Sequence, residues 1–232
     1  MKLPVTAADP NLRQALSQSA AALGLPLSDT QATALLAYMA LIQKWNKVYN
    51  LTAVRDAPAM LTHHLLDSLA VIRPLQSQLQ TLRSDAVDAA KPVRLLDVGS
   101  GAGLPGVVIA IMCPEIQVDC VDTVAKKASF IQQVALSLKL LNLRGVHARV
   151  ENLTDTYQVV SSRAFASLVD FTSWSVNALA EQGVWMAMKG KHPADELAAL
   201  PPTVAVFHVE QLEVPGLGAE RCLVWMRPTV SV

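Results

Sequence analysis

Leu95-Leu96-Asp97-Val98-Gly99-Ser100-Gly101-Ala102-Gly103 carries an apolar strand straight into alternating glycines, and Leu104-Pro105-Gly106 leads on to an apolar helix over 107–112. A chain without side chains at every second position can turn tightly and let a ligand approach its backbone, and the helix N-terminus beyond it attracts the ligand's anionic end. Pro105 suits the first turn of that helix. Ser100 is not a nucleophile elbow, because the G-x-S-x-G pattern is missing. Taken alone, the triplet fits a plain tight turn as well as a cofactor loop.

Downstream, short β-rich runs at 93–98, 117–121, 145–150, 158–161 and 184–188 alternate with helical stretches. That rhythm predicts a parallel sheet. The runs 204–214 and 222–226 are separated only by a turn around Pro215-Gly216-Leu217-Gly218, which predicts an antiparallel hairpin. The expected class is α/β: a doubly wound, Rossmann-like sheet of seven strands with an antiparallel terminal hairpin, the methyltransferase variant of that fold.

Asp122 stands nineteen positions after Gly103, at the end of the second strand, where an acid can hydrogen-bond both hydroxyls of an adenosine ribose. The plainer reading makes it the N-cap of a helix over 124–140. G-x-G-x-G without a third glycine at the dinucleotide position points to S-adenosylmethionine, which has no pyrophosphate to cradle. Gly106 keeps a nicotinamide cofactor open.

Upstream, the pattern is helical. Leu12, Ala15, Leu16 and Leu23 recur at helical spacing and stop at Gly24, a C-cap residue. Ser28 and Gln31 have capping-box spacing, and Leu35, Leu36, Met39, Ile42 and Trp45 continue an apolar stripe. Asp56 and Pro58 read as a further helix start, with Leu61, Leu65, Leu69 and Ile72 on its buried face. The expected organisation is a helical segment over 1–75, a partly helical connector over 76–92 and the cofactor-binding domain over 93–232.

Hydrophobic residues make up 52% of the 232 and charged residues 16%, a composition that folds. Lys plus Arg equals Asp plus Glu at 19 each, which excludes a domain basic overall, so a nucleic-acid site would be a local patch. Lys44, Lys47 and Arg55 lie in an acid-free stretch, whereas acids crowd the C-terminal part. Cys113, Cys120 and Cys222 lack C-x-x-C spacing and read as buried thiols in a reducing compartment. No charged leader opens the chain and the apolar run 107–113 is too short for a bilayer, so a cytosolic protein is expected.

Four separated motifs carry a resemblance: Trp45-Asn46-Lys47-Val48-Tyr49-Asn50-Leu51-Thr52, His64-Leu65-Leu66-Asp67-Ser68, the stretch Asp97 to Gly106, and Ser162-Arg163-Ala164-Phe165-Ala166-Ser167-Leu168. Over about 28–227 the chain closely resembles the bacterial 16S ribosomal RNA guanine-N7 methyltransferases, the family also called glucose-inhibited division protein B. The resemblance implies S-adenosylmethionine as methyl donor and N7 of one guanine in 16S rRNA, near the decoding centre of the 30S subunit, as acceptor. It also implies cofactor contacts at Gly99, Leu104, Val150, Glu151 and Arg163, to which the loop pattern adds Gly101 and Gly103 and the spacing adds Asp122. Three departures stand out: His63-His64 where the family usually has Arg-His, a longer connector, and Ser100 and Ala102 for the commoner Thr and Pro.

N7 attacks through an existing lone pair, so no general base is required and no catalytic acid or base is nominated; alignment supplies most of the rate. Ser161-Ser162-Arg163-Ala164-Phe165 also lacks the Asn/Asp-Pro-Pro-aromatic turn that resembles exocyclic-amine enzymes, and the nucleophilic cysteine of pyrimidine-C5 enzymes. His63, His64 and Asp67 could be drawn as metal ligands, but surface polar or RNA contacts are the preferred reading, and no metal is expected. The RNA-contact candidates are Lys47, Arg55, His64, Lys189 and Lys191, the last two following the fifth strand at the carboxyl edge. For Trp45 and Tyr49, four apart on one helix, packing onto the main domain competes with base stacking. A monomer is expected. A protein or small-molecule acceptor, a nicotinamide oxidoreductase and a non-catalytic cofactor binder stand as alternatives.

Overall fold

The computed structural model describes residues 9–84 and 92–229. α1 (Pro10–Ala22) is capped by the Asp9 carboxylate and closes with Gly24 at φ 71°. α2 (Asp29–Tyr49) opens on the Ser28/Gln31 capping box and ends at Asn50 in the left-handed region.

The third helical stretch departs from the single helix that its apolar spacing predicts. α3 (Ala57–Met60), capped by Asp56, runs into a π-helical turn (Leu61–Leu66), then α4 (Asp67–Leu69) and α5 (Ile72–Ser84). The Asp67 amide donates to the carbonyls of Thr62 and His64 and bypasses that of His63, its α-helical partner. Leu61, Leu65 and Leu69 lie four apart, a spacing that suits an α-helix and also absorbs one widened turn, so the pattern does not betray the insertion. α5 takes in residues 76–84, which the sequence places in the connector. Leu75 and Leu79 extend the buried stripe and account for the extra turns. Connector residues 85–91 lie outside the described residues.

The sheet follows as β1 (Arg94–Val98), α6 (Gly106–Met112), β2 (Gln117–Asp122), α7 (Ala125–Leu138), β3 (Leu143–His147), β4 (Tyr157–Arg163), α8 (Leu168–Ser175), β5 (Leu179–Lys189), α9 (Ala194–Ala198), β6 (Val204–Gln211) and β7 (Cys222–Pro228). Seven strands lie in the order β3-β2-β1-β4-β5-β7-β6. β1 to β5 are parallel and β7 runs antiparallel between β5 and β6, the doubly wound sheet with terminal hairpin that the sequence predicts. β3 is set earlier than the 145–150 expected. Val150 is buried from a 3-10 turn (Val150–Asn152), and an inward valine after a strand extends the apolar run beyond the ladder.

One apolar cluster runs from Leu16, Leu35, Met39 and Leu65 of the N-terminal helices into Leu95, Val107, Phe130 and Ile131. Trp45 packs on Phe130 of α7 with centroids 5.4 Å apart, the packing role weighed for it, whereas Tyr49 is 38% exposed. A second cluster, around Leu96, Val160, Phe171 and Trp185, covers the opposite face of the sheet. The three cysteines are buried free thiols. Among the described residues no helix is long and apolar enough to cross a membrane. Winding reverses between β1 and β4, so the crevice beyond their carboxyl ends is the place such a sheet offers a ligand.

Candidate active site

The glycine loop leaves β1 through three left-handed residues, Gly99, Gly101 and Gly103 at φ 64°, 59° and 89°. A β-carbon at Gly99 would overlap the Phe165 ring, while above Gly101 the nearest atom to one is a backbone oxygen at 4.0 Å. Gly101 N donates to Asp122 Oδ2 (3.1 Å) and Val124 N to Asp122 Oδ1 (2.9 Å). Asp122 therefore fastens the loop to the end of β2. α7 begins only at Ala125, with no side-chain cap. An ionised carboxylate has about four acceptor positions, so this one keeps some for a ligand.

Behind the loop, Gly106 N donates to Asp97 Oδ2 (2.9 Å) and Ser161 Oγ to Asp97 Oδ1 (3.0 Å). Full burial pushes the Asp97 carboxyl up to about 6. A β-carbon at Gly106 would press on Cys120 Sγ and reach within 2.9 Å of Asp97 Oδ2, so only glycine starts α6 against this carboxylate. From α2, Tyr38 donates to the Ala102 carbonyl at 2.6 Å.

Two cavities meet over the loop, both lined by Gly99 and Ala164. The first, about 450 Å³, is walled by Val98, Val150, Phe165 and Trp174, with the carboxylates of Asp122 and Glu151 at its side. The second, about 410 Å³, is reached past Gly101 and Leu104 and carries Thr52, His63, Asp67, Arg163, Lys189 and Arg221. Both sizes suit small ligands. Ala164, left-handed at φ 50°, separates them: Arg163 before it lines only the second cavity and Phe165 after it only the first. An elongated ligand fits that shape, with a base among apolar walls, hydroxyls beside carboxylates and a charged amino-acid end beyond Gly99. S-adenosylmethionine has those parts in that order.

The second cavity is built on Asp67, almost wholly buried. Arg163 Nη1 donates to Asp67 Oδ2 (2.9 Å) and to the His63 carbonyl (3.0 Å) that the π-turn amide bypasses, and Arg221 Nε donates to Asp67 Oδ1 (2.7 Å). Beside them a polar chain enters from α2. Buried Asn46 exchanges hydrogen bonds with the backbone of Thr52, Nδ2 to O and N to Oδ1, both 2.9 Å, and Thr52 Oγ1 lies 2.8 Å from His64 Nε2. Burial pushes the His64 imidazole below its ordinary value.

The structure thus gathers Gly99, Gly101, Leu104, Asp122, Val150, Glu151 and Arg163 around the paired cavities. Gly103 lies behind them, where a β-carbon would strike Val107. Two RNA-contact candidates are otherwise engaged. His64, expected as a surface contact, is 5% exposed because the π-turn folds it inward onto Thr52. Lys189 Nζ donates to the Ala166 carbonyl (2.9 Å) and to Glu196 Oε2 (2.7 Å) and Oε1 (3.0 Å), since α9 brings that acid over the end of β5. Lys191 is exposed, and Lys47 and Arg55 flank a separate cavity of about 390 Å³. Arg221, Asp97 and Tyr38 were not among the site residues expected from the sequence. An aspartate closing an apolar strand just before the glycines was a signal for Asp97, and Arg221 had none.

A protein of Albidiferax ferrireducens, "Ribosomal RNA small subunit methyltransferase G", is 68% identical over 217 residues, covering 93% of this chain and 97% of its own length. One of the same name from Polaromonas naphthalenivorans is 63% identical over 224 residues, covering 97% and 99%. Among solved structures, TrmN from Thermus thermophilus superposes with a TM-score of 0.52 at 17% identity, over 97% of this chain and 80% of that one, a likeness of fold. The family model described as rRNA small subunit methyltransferase G matches residues 31–224, so the chain belongs to that family.

Proposed function

We propose that this methyltransferase transfers the methyl group of S-adenosylmethionine to N7 of one guanine in 16S rRNA, near the decoding centre of the small ribosomal subunit. The observation that carries this reading is the pair of cavities joined over Gly99 and Ala164, one suited to a nucleoside and the other walled by Arg163 and Arg221. When bound, the cofactor supplies an electrophilic methyl on a sulfonium. Asp122 and Glu151 hold the ribose hydroxyls, Val150, Phe165 and Trp174 enclose the base, and Arg163 faces the carboxylate. The second cavity then has to admit a guanine and align its N7 lone pair. No side chain needs to remove a proton, and the buried acid that lines the second cavity, Asp67, is already shared between two guanidiniums.

Lys47, Arg55 and Lys191 are the RNA phosphate contacts in this reading. His64 and Lys189 act indirectly, one holding Thr52 and the other α9. The protein works as a cytosolic monomer, with the helices from α1 to α4 attached to the cofactor-binding part that begins at β1. The test is transfer of tritium from labelled S-adenosylmethionine to 30S subunits from a strain lacking this gene. Label confined to 16S rRNA supports the reading. No label on 30S or free rRNA, with cofactor binding intact, points to another acceptor.

A further inference from the structure

Asp67 is a single carboxylate held between two guanidiniums, Arg163 at 2.9 Å and Arg221 at 2.7 Å, and its side chain is 3% exposed. The third cation on this wall, Lys189, is matched by Glu196 at 2.7 Å. Among the described residues, the three cations on this wall contact two carboxylates, so one of them has no contacting carboxylate of its own. Arg163 spends Nη1 on Asp67 and the His63 carbonyl; Arg221 spends Nε on Asp67 and Nη1 on the Glu220 carbonyl. Among the described residues nothing accepts from Nη2 of either. Both side chains keep about a fifth of their surface exposed, and both line the second cavity.

The two guanidiniums meet on one carboxylate, and it is their backbones that sheet order separates. Arg163 ends β4, next to β1 and its loop, whereas Arg221 precedes β7, three strand spacings from β1, roughly 14 Å across the sheet. The turn before β7 sits on the π-turn, with a β-carbon at Gly216 placed 3.9 Å from Thr62 Oγ1. We infer that Arg221 receives an RNA phosphate at the acceptor cavity and that Asp67 is the positioning residue that aims it. The inference rests on the proposed rRNA reading. The same anion chemistry could come from the cofactor's carboxylate, and the experiment separates the two.

Arg221→Gln keeps a donor for Asp67 and removes the charge; Arg221→Lys keeps the charge and loses the fork. Each is compared with wild type for binding to 30S subunits from the gene-deleted strain between 50 and 200 mM salt, and for S-adenosylhomocysteine binding. The slope of log affinity against log salt should fall by about one for Arg221→Gln and stay unchanged for Arg221→Lys, with cofactor-product affinity within about twofold for both. Asp67→Asn should keep the wild-type slope and lose tenfold or more in RNA affinity. An unchanged slope in Arg221→Gln overturns the assignment to phosphate. If product affinity falls more than tenfold instead, the anion is the cofactor's carboxylate. Wild type that fails to bind 30S subunits sinks the rRNA reading together with this inference, whereas a failure confined to the variants leaves that reading standing.

Discussion

Asp97 holds a proton more tightly when folded than when unfolded, because burial outweighs its hydrogen bonds from Gly106 and Ser161 and takes its pKa from 3.8 to about 6. Its contribution to stability is therefore greatest below about pH 4 and is lost as pH rises through about 6. Between pH 4.5 and 7.5, wild type should lose about 2 kcal/mol relative to Asp97→Asn, read from urea midpoints. A difference that does not change with pH would contradict this account of the carboxyl. Its neighbour Gly106 has no room for a methyl group against Cys120 and Asp97. Gly106→Ala should cost about 1–3 kcal/mol by overpacking and weaken S-adenosylhomocysteine binding, measurable by melting and calorimetry. The residues of the loop were legible because glycine at a left-handed position is a statement about backbone. Asp122 was legible by its spacing. Arg221 was not, because its partner Asp67 lies 154 positions away and no local pattern encodes the meeting.

At the scale of elements, α2 fixes the site from one side through Tyr38 on the Ala102 carbonyl and Asn46 on Thr52. Tyr38→Phe leaves that buried carbonyl without its donor. It should lower stability by about 1–3 kcal/mol and raise the dissociation constant for S-adenosylhomocysteine, because the loop loses its anchor. An unchanged dissociation constant would mean that the loop holds its shape without α2. Caps at Ser28, Asp56 and Gly24 and the strand rhythm were readable, since they depend on neighbours a few residues apart. The π-turn was hidden by four-residue spacing that an α-helix also accepts, and β3 was set late because buried Val150 continues its apolar run. Both misreadings lie where side chains turn toward the cavities, the places at which local preference yields to tertiary contacts.

Over the whole molecule, the change of rhythm near residue 92 suggested two parts, yet one apolar cluster joins the N-terminal helices to β1, α6 and α7. The chain should therefore unfold in one transition, with fluorescence and far-ultraviolet dichroism coincident in urea. A fragment beginning at residue 93 should expose the α6 and α7 faces and bind a hydrophobic dye instead of folding cooperatively. Two separated transitions, or a well-folded fragment, would contradict this and show the two parts to be independent folding units. Balanced net charge agrees with local basic features, Lys47 on α2 with Arg55 beyond its end, and Arg163 and Arg221 in the cavity.

The central claim is the identity of the methylated atom, and the most direct measurement maps 7-methylguanosine in 16S rRNA by chain cleavage at the modified base followed by primer extension. In a strain lacking the native enzyme and supplied with this gene, the account predicts one new stop, at a guanine near the decoding centre, absent without the gene. A stable, cofactor-binding protein that produces no stop, or label found on an exocyclic or ribose position, would contradict it.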